Sequence, residues 1–393
     1  MGASCFIVLG GVLTPCLVKA EAWQIKPSVS LEERYNDNVY LSSAPLTSIE
    51  SLLRGSIAFK RLTEVSEVTG QLHANFHSYY IDDKFSSTND QLATFYSHKK
   101  FELSQWKFNG LFRRDATTRT IETSQVVDEE ITDVDEGLIS VELRRNSYSL
   151  NPGGSYQLDE RSNLSVDYQF SGAFFENNTK GTGLYDYNQH ALSLGYSRSL
   201  SELEGVGTSA SISRYSAEEN DNIVIHSQTL MAGYWRTFSE KIGGSVNAGV
   251  RHSSGTDDVS SFDQTGYILR LNIKYRTELN RIRASILHDL QPSGSGTLYK
   301  SSQLNIKARR EFHPRLSGVF RFSVFSNESI DSSSSSRWYY LHASPRIDWQ
   351  LTRWWSIGGG LAFRVRETID STDDAESKAI FLTVRYSKGI AVE

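Results

Sequence analysis

The sequence predicts an all-β fold, a single transmembrane antiparallel β-barrel of about eighteen strands, with sixteen as the alternative count. Three observations carry this. The 393-residue chain repeats stretches of alternating apolar and polar residues separated by polar turns. Tyr and Phe are abundant at 19 each, whereas there are only 7 Pro and 2 Met. After Ala22 no apolar run approaches the roughly twenty residues that a membrane helix needs, and a barrel strand shows lipid only at every second residue. A mean hydropathy of −0.40 is compatible with that architecture.

The first element is an export leader over residues 1–22, followed by a barrel over 23–393. Cys5 to Val18 is almost wholly apolar or small, and Ala20-Glu21-Ala22 supplies small residues for cleavage after Ala22. No Lys or Arg precedes the apolar run. A lipoprotein signal around Leu13-Thr14-Pro15-Cys16 is the rival, and Pro directly before the cysteine fits it badly. Both cysteines, Cys5 and Cys16, lie in the leader, so the mature chain is expected to lack disulfides, thiol catalysis and Cys-ligated metal.

The strands follow from parity. In Gly266 to Arg276, Tyr267, Leu269, Leu271, Ile273 and Tyr275 share one face, and Gly266, Ile268, Arg270, Asn272, Lys274 and Arg276 share the other. Leu164, Val166, Tyr168 and Phe170 separate in the same way from Asn163, Ser165, Asp167 and Gln169. Trp355 to Arg366 and Ile380 to Ser387 repeat the pattern. Short turns, such as Asp159 to Ser162 and His313-Pro314, alternate with longer acidic connections at 82–89, 115–136, 177–185, 217–222, 254–263, 291–300, 327–336 and 369–376. Short periplasmic turns and longer extracellular loops give a barrel this asymmetry, and an even strand number puts both termini on the periplasmic side. Tyr79-Tyr80, Trp338-Tyr339-Tyr340 and Trp354-Trp355 are expected at the membrane interfaces. Ordinary core aromatics of a β-sandwich are the bland alternative, but no linker divides the chain into the several domains a sandwich of this length would need.

The segment Ile25 to Leu41, in which Pro27-Ser28 leads to Tyr35 and Asp37-Asn38, resembles the opening of the porin-like outer-membrane β-barrels associated with exopolysaccharide-biosynthesis and exosortase (PEP-CTERM) loci of Gram-negative bacteria. Tyr148 to Leu158 with Asp159-Glu160-Arg161 is similar to a mid-barrel hairpin of that group. The resemblance implies the cell outer membrane and a part in polysaccharide export, and it transfers no catalytic residue.

The chemistry-bearing residues give no catalytic constellation and no metal or cofactor site. Asp37-Asn38 reads as turn punctuation that ends the first strand. His288 and Asp289 are adjacent in a strand and so point to opposite faces. His73 and His77 share a face but lie about 13 Å apart along it, too far to chelate one ion alone. Gly358-Gly359-Gly360 sits in a strand pattern, where a phosphate loop is not expected.

Charge placement carries the functional expectation. Glu122, Asp128, Glu129, Glu130, Asp133, Asp135 and Glu136 crowd one outer loop, and Asp370, Asp373, Asp374 and Glu376 crowd another. Lys107, Arg113, Arg270, Lys274, Lys307, Arg309, Arg321, Arg364, Arg366 and Arg385 fall on the faces assigned to the lumen. A charge facing lipid near the midplane costs about 2–4 kcal/mol, which turns these side chains inward. The bland reading is that any aqueous lumen needs charges; the functional one is that a basic lumen attracts an anionic solute. The expected function is a passive conduit or scaffold for exopolysaccharide export. The alternatives are a plugged structural or adhesive barrel presenting loops, and a barrel enzyme acting on polysaccharide or lipid. Expected partners are outer-membrane lipid and lipopolysaccharide, anionic polysaccharide and periplasmic export machinery; no nucleic-acid partner is expected.

Overall fold

Alternation becomes a closed ladder in the computed structural model. The structure describes residues 23–392 apart from 82–83, 117–142, 177–183, 219–222, 257–260, 295, 331–336 and 370–373. The leader and the acidic loop 121–136 therefore lie outside the described residues, as do Asp370 and Asp373.

In chain order the strands are β1 (Trp23–Asn36), β2 (Ser48–Leu62), β3 (Ser66–Ile81), β4 (Lys84–Lys100), β5 (Ser104–Ala116), β6 (Arg144–Gln157), β7 (Ser162–Phe175), β8 (Asp186–Ser199), β9 (Glu204–Glu218), β10 (Ile223–Thr237), β11 (Ile242–Thr256), β12 (Ser261–Arg276), β13 (Asn280–Pro292), β14 (Leu298–His313), β15 (Leu316–Ser329), β16 (Arg337–Gln350), β17 (Trp355–Thr368), β18 (Ala375–Ser387) and the short β19 (Ile390–Val392). Each pairs antiparallel with its sequence neighbour, and β1 closes the ring because Glu32 stands opposite both Leu52 of β2 and Thr383 of β18. β19 extends this seam, with Trp23 opposite Val392. Eighteen strands form the wall, and closure leaves no edge for another chain to pair with.

Parity then sorts the surfaces. On β17 Trp355 and Leu361 are 46% and 53% exposed, whereas Arg364 and Arg366 are 7% and 5% exposed. An apolar exterior around a polar interior inverts a soluble fold and matches a barrel that spans a membrane. The seam strand follows the same rule, with Val29, Leu31 and Tyr35 outward and Ser30, Glu32 and Asn36 inward.

The aromatic groups divide between the faces, which corrects part of the girdle expectation. Tyr80 and Trp355 face outward, but Tyr79, Trp338 and Tyr340 are buried. Consecutive strand residues must alternate, so a run of three aromatics cannot all reach the interface. Trp338 and Tyr340 are covered by Leu41 from the 37–47 connection, which packs with them and with Phe325 and Ala375, whereas Tyr79 stacks on His77. At the opposite end cations lie over outward or turn aromatics: Arg61 over Trp23, Arg236 over Phe238 and Arg353 over Trp354, the last at 4.7 Å.

Several outer connections are shorter than the sequence suggested. β4 begins at Lys84, β11 runs to Thr256 and β15 to Ser329, inside segments expected to be loops. These strand ends project beyond the apolar belt, where water on both faces erases the apolar–polar alternation.

The turn after β6 is closed by Asp159, whose carboxylate accepts from the Arg161 and Ser162 backbone N–H groups at 2.7 and 2.8 Å. The Arg161 amide bond is the chief reason its pKa is held below the ordinary aspartate range. The sign follows: this contribution is complete above the pKa of an unconstrained aspartate and is lost as pH falls through the lowered one. The protection factor of the Arg161 amide, its exchange measured against the intrinsic rate at each pH, should fall only in acid below the ordinary aspartate range, and Asp159→Ala should show the lowered protection at every pH.

Candidate functional site

The candidate site is the lumen. A cavity of about 1120 Å³ runs between its facing walls, with Lys60, Arg113 and Arg145 on one side and Arg251, Arg270 and Asp289 on the other.

The strongest charge feature lies at the periplasmic end of β12–β15. Lys274 stands opposite Arg283, Arg283 opposite Lys307, and Lys307 opposite Arg321. One step nearer the turn, Arg276, Arg281 and Arg309 form a second row. No acidic residue occupies either row. Like charges directly opposite in a sheet are destabilising, so these rungs work against the wall they belong to. Immediately outward, Asn272, Ser285, Asn305 and Ser323 make a neutral polar row.

The remaining expected basic residues fall into different settings. Lys107 pairs with Asp167 at 2.8 Å, and Arg270 reaches Asp289 at 3.3 Å. Arg321 and Arg385 come within electrostatic range of Arg54, Arg346 and Asp348. Arg113 is buried beside the Asp115–Arg145 pair. Arg364 and Arg366 are also buried, and Arg364 bonds the Asn38 carbonyl at 3.3 Å and the Ser377 hydroxyl at 2.9 Å. Ser377 donates in turn to Asn36 at 2.8 Å, and the Asn38 side chain donates to the Ser42 and Glu376 carbonyls. Arg364 thus ties the first outer connection to β18. Arg364→Ala should expose 37–47 to external protease while leaving ion selectivity unchanged in bilayer recordings.

Of the second acidic group, Asp374 accepts the Thr368 N–H at 3.1 Å and Glu376 pairs with Lys378 at 3.4 Å.

Sequence reasoning put Arg276 on the face of Arg270 and Lys274 without counting it among the lumen cations, and it missed Arg281 and Arg283, although their alternation in Asn280–Pro292 was a usable signal. It also missed the acids that compensate the opposite wall. Glu32 bonds Arg34 at 2.8 Å and lies 3.5 Å from Arg54; Glu50 bonds His77 at 2.6 Å, and Asp90 lies 2.9 Å from the other ring nitrogen. The lumen therefore has acids set among its cations on β1–β6, whereas the two rows on β12–β15 consist of cations, with Glu311 4.0 Å from Arg309 at the edge of the second.

The outer mouth is narrowed by its own chain. Above His288 the β12–β13 ladder stops, and Asp289 accepts from Arg251 at 2.9 Å. The following connection crosses to β8 and β9: Tyr185 donates its N–H to the Gly294 carbonyl at 2.9 Å, and the Tyr215 hydroxyl donates to the Ser293 carbonyl at 2.7 Å. Tyr215, Ile225, Leu290 and Leu298 form the apolar cluster beneath it. Gly296 has φ +74° and lies against Ile223, so the crossing requires glycine there.

No family model matches the chain, and no curated protein matches it. Among solved structures, Pseudomonas aeruginosa OpdK with vanillate is 10% identical, with 93% of this chain and 99% of that one covered at a TM-score of 0.46. P. aeruginosa OccK5 (OpdH) gives 11%, 94%, 99% and 0.44 in the same order. Acinetobacter baumannii OccAB4 gives 9%, 94%, 98% and 0.44. Likeness of that degree leaves the assignment resting on the closed ladder, the apolar exterior and the polar interior.

Proposed function

We propose that this barrel is a passive, anion-preferring conduit of the outer membrane, and that its cargo is an acidic exopolysaccharide leaving the periplasm. The two rungs on β12–β15 carry the reading. They lie at the end of the barrel that holds both termini and the short turns, so an anionic polymer would meet them on entry from the periplasm. The neutral polar row beyond them lets the polymer move on, since strong binding along the whole path would stall transport. No covalent step is required. Export machinery would deliver the polymer to this mouth.

The deciding experiment is planar-bilayer conductance of the chain from Trp23 onward, with reversal potential read in a salt gradient. Discrete anion-preferring steps, blocked by an acidic polysaccharide added on the periplasmic side and not by a neutral one, support the reading. Cation preference, or equal block by the neutral polymer, refutes it. The crossing segment at Ser293–Thr297 and the Leu41 cluster favour a second reading, a plugged scaffold presenting its loops. A folded barrel that stays insulating would select that one.

A further inference from the structure

The lipid-facing surface is not uniform around the ring. On β17 outward apolar residues run from Trp355 to Val365, whereas on β10 they run only from Tyr234 to Leu230 before Gln228 and His226 follow. The outer boundary on this side is drawn by His190 on β8, Arg214 on β9, Gln228 on β10, His252 on β11 and His288 on β13.

The densest part is a direct cross-strand triplet. His190 stands opposite Arg214, and Arg214 opposite His226, so the three Cα atoms span about 10 Å. All three side chains are exposed on the outward face, and neither cross-strand partner of Arg214 is acidic. The His190 ring is oriented by the Tyr168 hydroxyl, 2.7 Å from Nδ1, and by Phe170 stacked at 4.8 Å.

Directly beneath, toward the membrane centre, an exterior groove of about 450 Å³ is walled by Leu192, Ala210, Ile212, Leu230 and Val250, with Gln228 and His252 among its lining residues. Its origin is local: Ala210 stands between Leu194 and Leu230 on adjacent strands, so a small side chain separates two large ones. An apolar groove capped by a cationic row is complementary to an amphiphile with an acyl chain below and a phosphate above.

We infer that this face binds a phosphate-bearing glycolipid of the outer leaflet, with an acyl chain along Ala210 and the phosphate on Arg214 between His190 and His226. The inference rests on the outer-membrane setting of the proposed function and is independent of what passes through the lumen. Charge-assisted bonds from a guanidinium to phosphate are about twice as strong as neutral ones, which offsets placing Arg214 at the lipid boundary.

The test uses protein extracted in mild detergent from the outer membrane of a Gram-negative host, with native mass spectrometry as the readout. The probe is an acylated, bisphosphorylated glucosamine disaccharide, compared with its dephosphorylated form. The wild type should bind the phosphorylated probe. Binding should weaken about tenfold or more in the combined His190→Gln, Arg214→Gln, His226→Gln variant and on removal of the phosphates. Ala210→Trp, which fills the groove and leaves every charge in place, should weaken it too. Undiminished binding by the triple variant, or equal binding of the dephosphorylated probe, overturns the site. Cross-linking through Arg214→Cys between neighbouring barrels in intact membranes would give the face to a second copy and also overturn it. Conductance of the same preparations separates the two proposals: lost lipid binding with intact channels counts against this site alone, and lipid binding without channels counts against the conduit alone.

Discussion

Replacing Lys274, Arg283, Lys307 and Arg321 together with glutamine should remove most of the anion preference of the channel, leaving what the second row of Arg276, Arg281 and Arg309 supplies. The four occupy one rung on consecutive strands, so an ion passing that level meets their summed field. At about 7 Å in water each unit charge contributes about 0.6 kcal/mol, before screening with a Debye length of about 10 Å at 0.1 M salt. With that screening the four together are worth roughly 1 kcal/mol to an anion and cost a cation as much, so the anion-to-cation permeability ratio should fall about thirtyfold to sixtyfold. Glutamine keeps the length and the hydrogen bonding, so the change isolates charge. Folding should not suffer, because four like charges standing opposite one another are relieved. The quadruple variant should therefore resist heat at least as well as the wild type in a gel-mobility assay, while its reversal potential moves toward zero. An unchanged permeability ratio would remove the rungs from the permeation path. Arg364→Gln is the matched control, since that cation is buried beneath the first outer connection and bonded to Asn38 and Ser377.

The difference between Arg364 and Arg283 shows where the sequence runs out. Parity fixes which face a strand residue takes, and it separated Tyr267, Leu269 and Leu271 from Arg270 and Lys274 before any coordinates. Parity carries no register between strands. Nothing in the single strands says that Lys274, Arg283, Lys307 and Arg321 fall on one level, because that depends on the lengths of the connections at 277–279, 293–297 and 314–315 and on the register shift between Glu311 and His313. Nor does parity say what covers an inward side chain. Arg364 and Arg385 look alike in sequence, yet the Asn38 and Val39 carbonyls return from more than three hundred residues away to bond the first. The strand extensions were lost for a simpler reason. Above the apolar belt, Thr88 and Asp90 face a polar interior while the outward Asn89 lies in a polar setting too, so the alternation that marks a strand vanishes. Chain closure, by contrast, was legible as an even count of strands, and the β1–β18 seam realises it.

Asp115→Ala should cost about 3–5 kcal/mol, the penalty of leaving a buried charge without its partner. Asp115 and Arg145 stand directly opposite each other on β5 and β6, with side chains 0% and 2% exposed. The guanidinium reaches the carboxylate through both Nε and Nη2 at 3.2–3.3 Å, and Arg113 is buried nearby. Without the carboxylate, two guanidinium groups share one low-dielectric pocket in the wall. The loss should appear as a lower urea midpoint for unfolding from liposomes, followed by Trp fluorescence. Asp115→Asn keeps an acceptor and should recover part of the loss, because geometry survives while charge does not. The combined Asp115→Leu, Arg145→Met variant decides what kind of interaction this is. Removing both charges and filling the space should bring stability back close to wild type, since a buried pair contributes little net once its desolvation is counted. If the double variant stays as unstable as Asp115→Ala, the pair does more than neutralise itself. It would then be anchoring the long connection that leaves β5 at Ala116 and returns at Arg144, and the cost would belong to that loop's attachment to the rim.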